Sequence, residues 1–383
     1  MTFGRLPPVR RSVPLHYSAT RLRSLADGRR FSEQFVGSGT QALALAVRGA
    51  LQARQGRTDV ILPAYGCPDL VAATIWAGGR PVLVDIRADA WGYNFDLLRA
   101  ATGPSTAAIV GVNLLGVGDQ AAALRAIADE AGAALIQDSA QYLPRSDQDW
   151  CGDYVIFSFG RGKPLNLLGG GVLLMRASDP PFDLEVVARS VPNRLKGSML
   201  GAMAFNILTR PIVFGMISAL PGLSLGATEF HLLTTVVQLD RAHEQRIRAA
   251  YEVFSKGDDY TSVKWRRAAA KWAQLGIRIV QCDGACAPDD AQRLRLPLLA
   301  PTRTIRDRIV DQLESRGLGA SRMYERALNE VKAIPEMVAQ QGPFPAASDF
   351  ASRFFTLPTH SLVRPRHVEE VDAVIASVAC SRL

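Results

Sequence analysis

The sequence predicts an α/β protein with a large domain, built on a mostly parallel sheet flanked by helices, and a smaller α+β domain at the C-terminus. Two observations predict it. Short apolar stretches alternate with helix-like stretches from residue 35 to residue 175, as expected for strands buried on both faces of a sheet. The length of 383 residues also fits two domains, at roughly 150 residues per domain.

The strands are predicted where apolar runs are short and bounded by turn residues, at 60–62, 81–84, 107–112, 133–136, 154–157 and 172–175. Between them, helical periodicity predicts helices at 41–51, 69–77 and 119–131, the last two ended by Gly78 and Gly132. Ligands of such sheets bind beyond the carboxyl ends of the strands. The polar residues that directly follow the strands are therefore the candidate site.

A long amphipathic helix at 235–255 is predicted to lead into the second domain. That domain has a predicted strand at 294–299 and helices at 304–316 and 367–379. We therefore expect an N-terminal arm over 1–34, a large domain over 35–250 and a small domain over 251–383. The arm is expected to be poorly ordered.

Composition excludes several classes of protein. With 48% hydrophobic and 21% charged residues, the chain is not disordered, collagenous or a coiled coil as a whole. A net charge of +8 favours an anionic partner, but no run of five Lys/Arg indicates nucleic-acid binding. Five scattered cysteines form no disulfide framework or paired zinc motif, and although Cys282 and Cys286 could share a helix face, we predict no metal. Prolines interrupt the N-terminus where a signal peptide would be apolar, so we expect a cytoplasmic protein.

Residues 197–228 differ from the rest of the chain because they contain a single charged residue, Arg210. Pro211 and Pro221 oppose an unbroken membrane-spanning helix. Two interpretations stay open: a buried helical hairpin at a domain or dimer interface, or a shallow contact with a membrane surface. We predict that the segment lies beside the mouth of the active site or the dimer edge, with part of its apolar surface exposed.

Three short segments carry candidate chemistry. Gly37-Ser38-Gly39-Thr40 opens a helix, so its free N–H groups could bind a phosphate, although a simple helix cap needs no ligand. Asp138 directly follows a buried strand and could cap a turn or hold a cationic ring nitrogen. Ser158 ends another strand, and a glycine-containing loop then brings Lys163, which would be a nucleophile toward aldehydes if it were screened from water.

Together these segments resemble the DegT/DnrJ/EryC1/StrS family, the pyridoxal-phosphate-dependent sugar aminotransferases of fold type I. Residues 37–43 resemble its GTxAL turn, and residues 81–96 its PVFVDVD…NID stretch. Asp138 and Gln141 match its ED-x-AQ pattern, and Ser158 and Lys163 match its SF-x-x-x-K pattern with the same spacing. Residues 316–324 and 354–360 resemble two C-terminal motifs, so the resemblance covers roughly residues 35–383.

The resemblance implies a role for each matching residue. Lys163 would bind the cofactor covalently and move protons, and Asp138 would pair with the ring nitrogen. Gln141 would contact the phenolic oxygen of the ring, while Ser158 and the backbone of Gly39 and Thr40, next to Gln41, would hold the phosphate. In the family an aromatic residue often stacks on the cofactor, and Cys67 stands at that position here. Tyr65 or Tyr142 could take over the stacking.

Two other positions depart from the family pattern. Asn113 stands where a histidine is usual. The G-x-N-x-R stretch, which in the family reaches the partner subunit's phosphate and the sugar nucleotide, is not recognisable: its nearest match, 226–230, has Thr228 and Phe230 in place of Asn and Arg. The pattern therefore supports the cofactor more strongly than a nucleotide-linked substrate.

The predicted function is that of a homodimeric aminotransferase that moves an amino group, with glutamate as the expected donor, to a keto sugar, expected to be nucleotide-linked, in surface polysaccharide or glycoconjugate biosynthesis. One alternative keeps the cofactor but takes a lipid-linked or amphiphilic substrate at a membrane surface. Another is a non-catalytic relative of the same fold. Bleaching of the cofactor absorbance by glutamate distinguishes an enzyme from the non-catalytic relative.

Overall fold

A computed structural model shows the fold as two sheets with their covering helices. The residues that it describes are 4–9, 12–15, 22–26, 30–118, 120–146, 148–177, 188–189, 199–218, 230–256, 262–282, 293–340 and 342–380. Within them, nine strands form the main sheet and three form a smaller antiparallel sheet.

The main sheet has the strand order β3-β2-β4-β5-β6-β7-β1-β9-β8. Its strands are β1 (Phe31–Val36), β2 (Asp59–Pro63), β3 (Arg80–Val84), β4 (Thr106–Val112), β5 (Ala134–Asp138), β6 (Tyr154–Ser158), β7 (Gly171–Arg176), β8 (Ala188–Arg189) and β9 (Val237–Gln238). Strands β2 to β6 run parallel, whereas β7 is antiparallel to both β6 and β1. Val112 pairs with Asp138, and Asp138 with Ile156, so β4, β5 and β6 end at the same edge of the sheet.

Helices cover both faces of this sheet, which confirms the predicted α/β class. They are α1 (Gly39–Ala53), α2 (Asp69–Ala77), α3 (Phe95–Ala101), α4 (Ala121–Ala131) and, after the sheet, α7 (Arg241–Ser255). Val60 and Leu62 pack in the core that contains α1 and α2, whereas Ile61 packs against α3 and α4. Neighbouring strand residues are thus buried on opposite faces, which explains why the strands are continuously apolar.

A second core lies around the small sheet of β10 (Arg278–Ile279), β11 (Arg295–Leu299) and β12 (Phe354–Pro358). Its helices are α8 (Ser262–Gln274), α9 (Arg303–Ser315) and α11 (Pro365–Cys380), whereas the buried residues of α10 (Pro345–Arg353) belong to the core that contains α1 and α2. Trp265 and Trp272 are fully buried there with Ile309 and Ile375. The small C-terminal domain stays a prediction, and the boundary predicted at residue 251 falls inside α7.

The described part of the apolar segment forms α5 (Met199–Leu208) and α6 (Pro211–Ser218), two helices that meet at an angle of 77°. No single described helix is long and apolar enough to cross a membrane, and only this bent pair passes that test jointly. Large apolar side chains on the pair are exposed in the chain, including Leu200 at 77% and Ile212 at 60%. Residues 197–198 and 219–228 of the predicted segment lie outside the described residues.

The described residues near the N-terminus form hydrogen bonds with α6 and with the C-terminal part of the chain. The Arg5 N–H donates to the Pro211 carbonyl at the start of α6, and the Leu6 N–H donates to the Gly317 carbonyl after α9. The Pro7 carbonyl lies 2.9 Å from His360 Nε2. The expectation of a poorly ordered arm is therefore wrong for residues 4–9, because their backbone hydrogen bonds and the buried Leu6 fix them.

Two predicted boundaries also differ from the structure. Strand β1 begins at Phe31, inside the predicted arm, and pairs along its whole length with β7. The helix predicted to begin at residue 235 begins at Arg241, because Asp240 caps it by accepting a hydrogen bond from the His243 N–H. Residues 237–238 instead form β9.

Candidate active site

A cavity of about 200 Å³ lies at the sheet edge where β4, β5 and β6 end, beside the N-terminus of α1. The large apolar residues that line it belong to or pack against the core that contains α1 and α2, and Tyr324 is contributed by the C-terminal part of the chain. Among the residues predicted for the site, those that line it are Gly39, Thr40, Cys67, Asp138, Gln141, Ser158 and Lys163.

The first turn of α1 forms one wall of the cavity. Ser38 caps the helix by accepting a hydrogen bond from the Gln41 N–H, and the first turn contains no acidic residue. The N–H groups that open a helix have no carbonyl partner within it, and the helix dipole is positive there. Gly39 and Thr40 therefore present donors suited to a phosphate, while the Thr40 hydroxyl is engaged by Asp69 Oδ2 at 2.7 Å.

Ser158, at the end of β6, faces this turn at very close range. A Cβ on residue 39 would lie 2.6 Å from Ser158 Cβ and 2.9 Å from Ser158 Oγ, so the approach needs a glycine. The helix N-terminus and the Ser158 hydroxyl thereby form one cradle of donors. This geometry fits the phosphate of pyridoxal phosphate.

Asp138 ends β5 and is largely buried at the cavity wall. One of its carboxylate oxygens accepts a hydrogen bond from the Ala140 N–H at 2.9 Å, which fixes the side chain at the start of the following turn. Both functions considered from the sequence, capping the turn and facing a ring nitrogen, are thus compatible with its position in the cavity lining.

Lys163 lies in the loop that joins β6 to the antiparallel strand β7. Gly162, with φ of 72°, directly precedes it, and the Lys163 N–H donates to the Gly160 carbonyl. The side chain is half-buried and lines the cavity. Within the described part of the chain, its ammonium group has no hydrogen bond or ion pair, so it is available to a ligand.

Gln141 and Tyr324 form a second fixed pair in the lining. Gln141 Nε2 donates to the Tyr324 hydroxyl at 2.9 Å, and Gln141 Oε1 accepts from the Leu115 N–H at 3.0 Å. Burial, with Cys67 nearby, raises the pKa of the Tyr324 hydroxyl well above its usual value. The Tyr324 hydroxyl therefore stays protonated. Tyr324 is a site residue that the sequence analysis does not single out, although it lies in the stretch 316–324 that resembles a family motif.

Cys67 lines the cavity as a neutral thiol. Burial raises its pKa to about 11, Asp69 adds to the effect, and the charge of Lys163 partly opposes it. A thiol with this pKa is a poor nucleophile at neutral pH. Cys67 therefore offers the cavity a small, weakly polar wall.

Three residues considered for cofactor contact lie outside the lining of this cavity. Gln41 Oε1 accepts from the N–H groups of Gly37 and Val237, so its side chain fastens the turn to β9. The Tyr65 hydroxyl donates to the Met323 carbonyl, and its ring packs edge-on against Tyr324 and Phe350 in the core. Tyr142 packs in a different core cluster, which leaves Tyr324 as the aromatic residue found in the described lining.

The two other positions that depart from the family pattern, Asn113 and the stretch 226–230, lie in different places. Asn113 lines the cavity, and its Nδ2 donates to Ser139 Oγ at 2.7 Å, which holds the turn after Asp138. Thr228 lies outside the described residues. Phe230 packs partly buried against the main core.

Comparison with known proteins gives partial matches at the sequence level. The chain is 36% identical over 149 residues to dTDP-3-amino-3,4,6-trideoxy-alpha-D-glucose transaminase of Micromonospora megalomicea subsp. nigra, which covers 38% of this chain and 39% of the relative. It is 32% identical over 160 residues to UDP-N-acetyl-3-dehydro-alpha-D-glucosamine 3-aminotransferase of Acidithiobacillus ferrooxidans, covering 41% and 42%. The chain thus spans about two fifths of the length of these curated relatives.

The fold matches over almost the whole chain. The PLP form of Spr1654 from Streptococcus pneumoniae aligns with a TM-score of 0.62 at 18% identity, covering 92% of this chain and 88% of that one. The sequence model of one family matches residues 35–182 and 264–378, more than half of the chain and both sides of the cavity. The chain belongs to the DegT/DnrJ/EryC1/StrS aminotransferase family.

Proposed function

We propose that the chain is a pyridoxal-phosphate-dependent aminotransferase that transfers an amino group to the carbonyl carbon of a sugar. The observation that carries this proposal is the grouping of Lys163, Asp138 and Ser158 with the α1 N-terminus around one cavity. Family membership and the names of the two curated relatives support it. Spr1654, which shares the fold, has been solved in both PLP and PMP forms.

Each side chain has a distinct task in this proposal. Ser158 and the N–H groups of Gly39 and Thr40 would bind the cofactor phosphate, and Asp138 would hold the proton on the ring nitrogen. When bound, the cofactor supplies an electron sink for the carbon that gains or loses the amino group. Lys163 would hold the cofactor through its amine, with release of water, and once displaced by the amine of the donor it would carry the proton to and from the reacting carbon.

The organisation of the site also supports the proposed domains. Residues 35–250 would bind the cofactor, and residues 251–383 would close over it, since Tyr324 reaches the cavity from the C-terminal part. We propose a homodimer, as the resemblance implied. The sugar would be carried on a phosphate group, since the two curated relatives are named for dTDP- and UDP-linked sugars.

The test is a half-reaction with the amino donor. Purified protein is loaded with pyridoxal phosphate, and the visible absorbance of the lysine-bound cofactor is followed after glutamate is added. We expect bleaching by glutamate and recovery of the absorbance with 2-oxoglutarate. Glutamine is tested in parallel as an alternative donor.

Lys256→Ala is the matched control for replacement of Lys163 by alanine, because Lys256 is an exposed lysine at the end of α7 and pairs with Glu252. It should bleach like the unmodified protein. A cofactor-loaded protein that responds to neither amino donor would instead be a non-catalytic relative of the fold.

A further inference from the structure

A second, larger cavity of about 1500 Å³ opens directly from the site. The two cavities share five lining residues, Ser38, Gly66, Gln141, Lys163 and Tyr324. Its volume is several times that of the inner cavity. A ligand in this space therefore extends outward from Lys163.

The charged side chains that line the larger cavity are nearly all basic. Six are basic, Lys163 among them, and Glu325 is the single acid among the described lining residues. Arg322 is neutralised by Asp307 and neighbouring carboxylates of α9. The exposed cations Arg161, Arg326 and Lys332 form no ion pair within the described ranges.

Arg295, at the start of β11, is the unusual member of this set because it is buried, with 4% of its surface exposed. Its Nη2 donates to the carbonyls of Gly319 and Thr356 at 3.1 Å, while its Nε has no partner. Burial lowers its pKa to about 9, so the guanidinium stays charged at neutral pH. A buried cation without a carboxylate is costly, and no carboxylate contacts it in the described structure, which favours an anion on its cavity side.

Another part of the lining is apolar and comes from the α5–α6 pair. Phe205, Leu208, Phe214 and Ile217 line the cavity. Leu208 is also 47% exposed, so the wall continues onto the exposed surface of the two helices. This space thus combines one cationic side with one long apolar side.

We propose that this cavity binds a substrate in which a phosphate or diphosphate group joins the sugar to a long apolar chain. The phosphate lies against Arg295 and the exposed cations, and the chain lies along α5–α6. A nucleotide carrier would satisfy the cations but leave the apolar wall uncovered. The inference rests on the proposed function, since the sugar of this lipid is what the Lys163 site would aminate.

The test measures binding of probes to the cofactor-loaded protein by calorimetry, so that the inner phosphate site is already filled. The probes are farnesyl diphosphate below its micelle concentration, inorganic diphosphate and uridine diphosphate. We expect farnesyl diphosphate to bind at least about tenfold more tightly than either of the others, because burying only a few methylene groups is worth that much.

Two variants locate the two parts of the ligand. Leu208→Asp should abolish the preference for farnesyl over inorganic diphosphate, whereas Val253→Asp should not, since Val253 is equally exposed at 48% but lies on α7 outside the cavity. Arg295→Gln should weaken both diphosphates about tenfold or more. If that variant unfolds, Arg326→Gln combined with Lys332→Gln, at two exposed sites, should weaken both diphosphates as well.

Three results would overturn the inference. Equal affinity for farnesyl and inorganic diphosphate would exclude the chain site. Tighter binding of uridine diphosphate, unchanged by Leu208→Asp, would assign the cavity to a nucleotide. Loss of a dimer in Leu208→Asp by light scattering, with the probe preference intact, would make α5–α6 an interface between copies. The glutamate half-reaction, run separately, shows whether the proposed function itself fails.

Discussion

Replacing Gly39 with alanine tests the proposed phosphate cradle at its narrowest point. The added Cβ would lie 2.6 Å from Ser158 Cβ and 2.9 Å from Ser158 Oγ, both well inside contact distance. Ser158 cannot retreat easily, because it is largely buried and pairs with Gly171 of β7. Either the helix N-terminus or the hydroxyl must move, and the phosphate then loses donors.

The magnitude follows from the cost of overpacking. Inserting a methyl group into a packed site costs about 1–3 kcal/mol. If that strain is relieved at the expense of the cradle, affinity for pyridoxal phosphate falls roughly 5- to 150-fold. The assay is titration of the apo-protein with the cofactor, followed by absorbance.

Gly103→Ala is the matched control, because a Cβ at residue 103 would meet no atom within 4 Å. Thermal unfolding of both apo-variants separates a local effect from general destabilisation. Gly39→Ala binding the cofactor as tightly as Gly103→Ala would refute the cradle.

Three further predictions concern the remaining site residues. Lys163→Ala should slow the glutamate half-reaction by at least about 10²–10⁴-fold in stopped-flow absorbance with the fold retained, and turnover near that of Lys256→Ala would contradict its assignment. Asp138→Asn should slow the half-reaction far more than it weakens cofactor binding, and an unchanged rate would mean that another group faces the ring nitrogen. The rate at which iodoacetamide alkylates Cys67, measured by peptide mass spectrometry, should rise about tenfold per pH unit between pH 8 and 10. The reason is that a pKa of about 11 keeps the thiolate scarce in this range. A rate that reaches a plateau below pH 9 would disprove the raised pKa.

Much of the main sheet could be predicted because its strands are buried on both faces. Runs such as 107–112 are continuously apolar, and glycines at 78 and 132 end helices in the left-handed conformation that favours this residue. Strand β1 was not predicted because three consecutive residues of it, 32–34, are exposed or half-buried, and because its pairing with β7 joins residues far apart in the sequence. The pattern of apolar and polar residues along the sequence does not predict which distant strands pair.

The site was predictable where a residue's role follows from its place at a strand end, as for Asp138 and Ser158. Tyr65 and Tyr324 show the limit of that reasoning. Both are tyrosines next to candidate motifs, but Tyr65 turns into the core while Tyr324, 259 positions later, reaches the cavity. Which of them meets a ligand is decided by packing between distant segments.

The hydrogen bonds of residues 5 and 6 to Pro211 and Gly317 have a consequence for biosynthesis. The contact of Leu6 with Gly317 can form only after residue 317 has left the ribosome, 99 residues after the end of α6 at Ser218. At a synthesis rate of roughly 5–20 residues per second, the N-terminal segment waits roughly 5–20 seconds for this second anchor after α6 is complete. The N-terminal segment is therefore held at both of its contacts only late in translation, and added chaperone should raise the yield of folded protein.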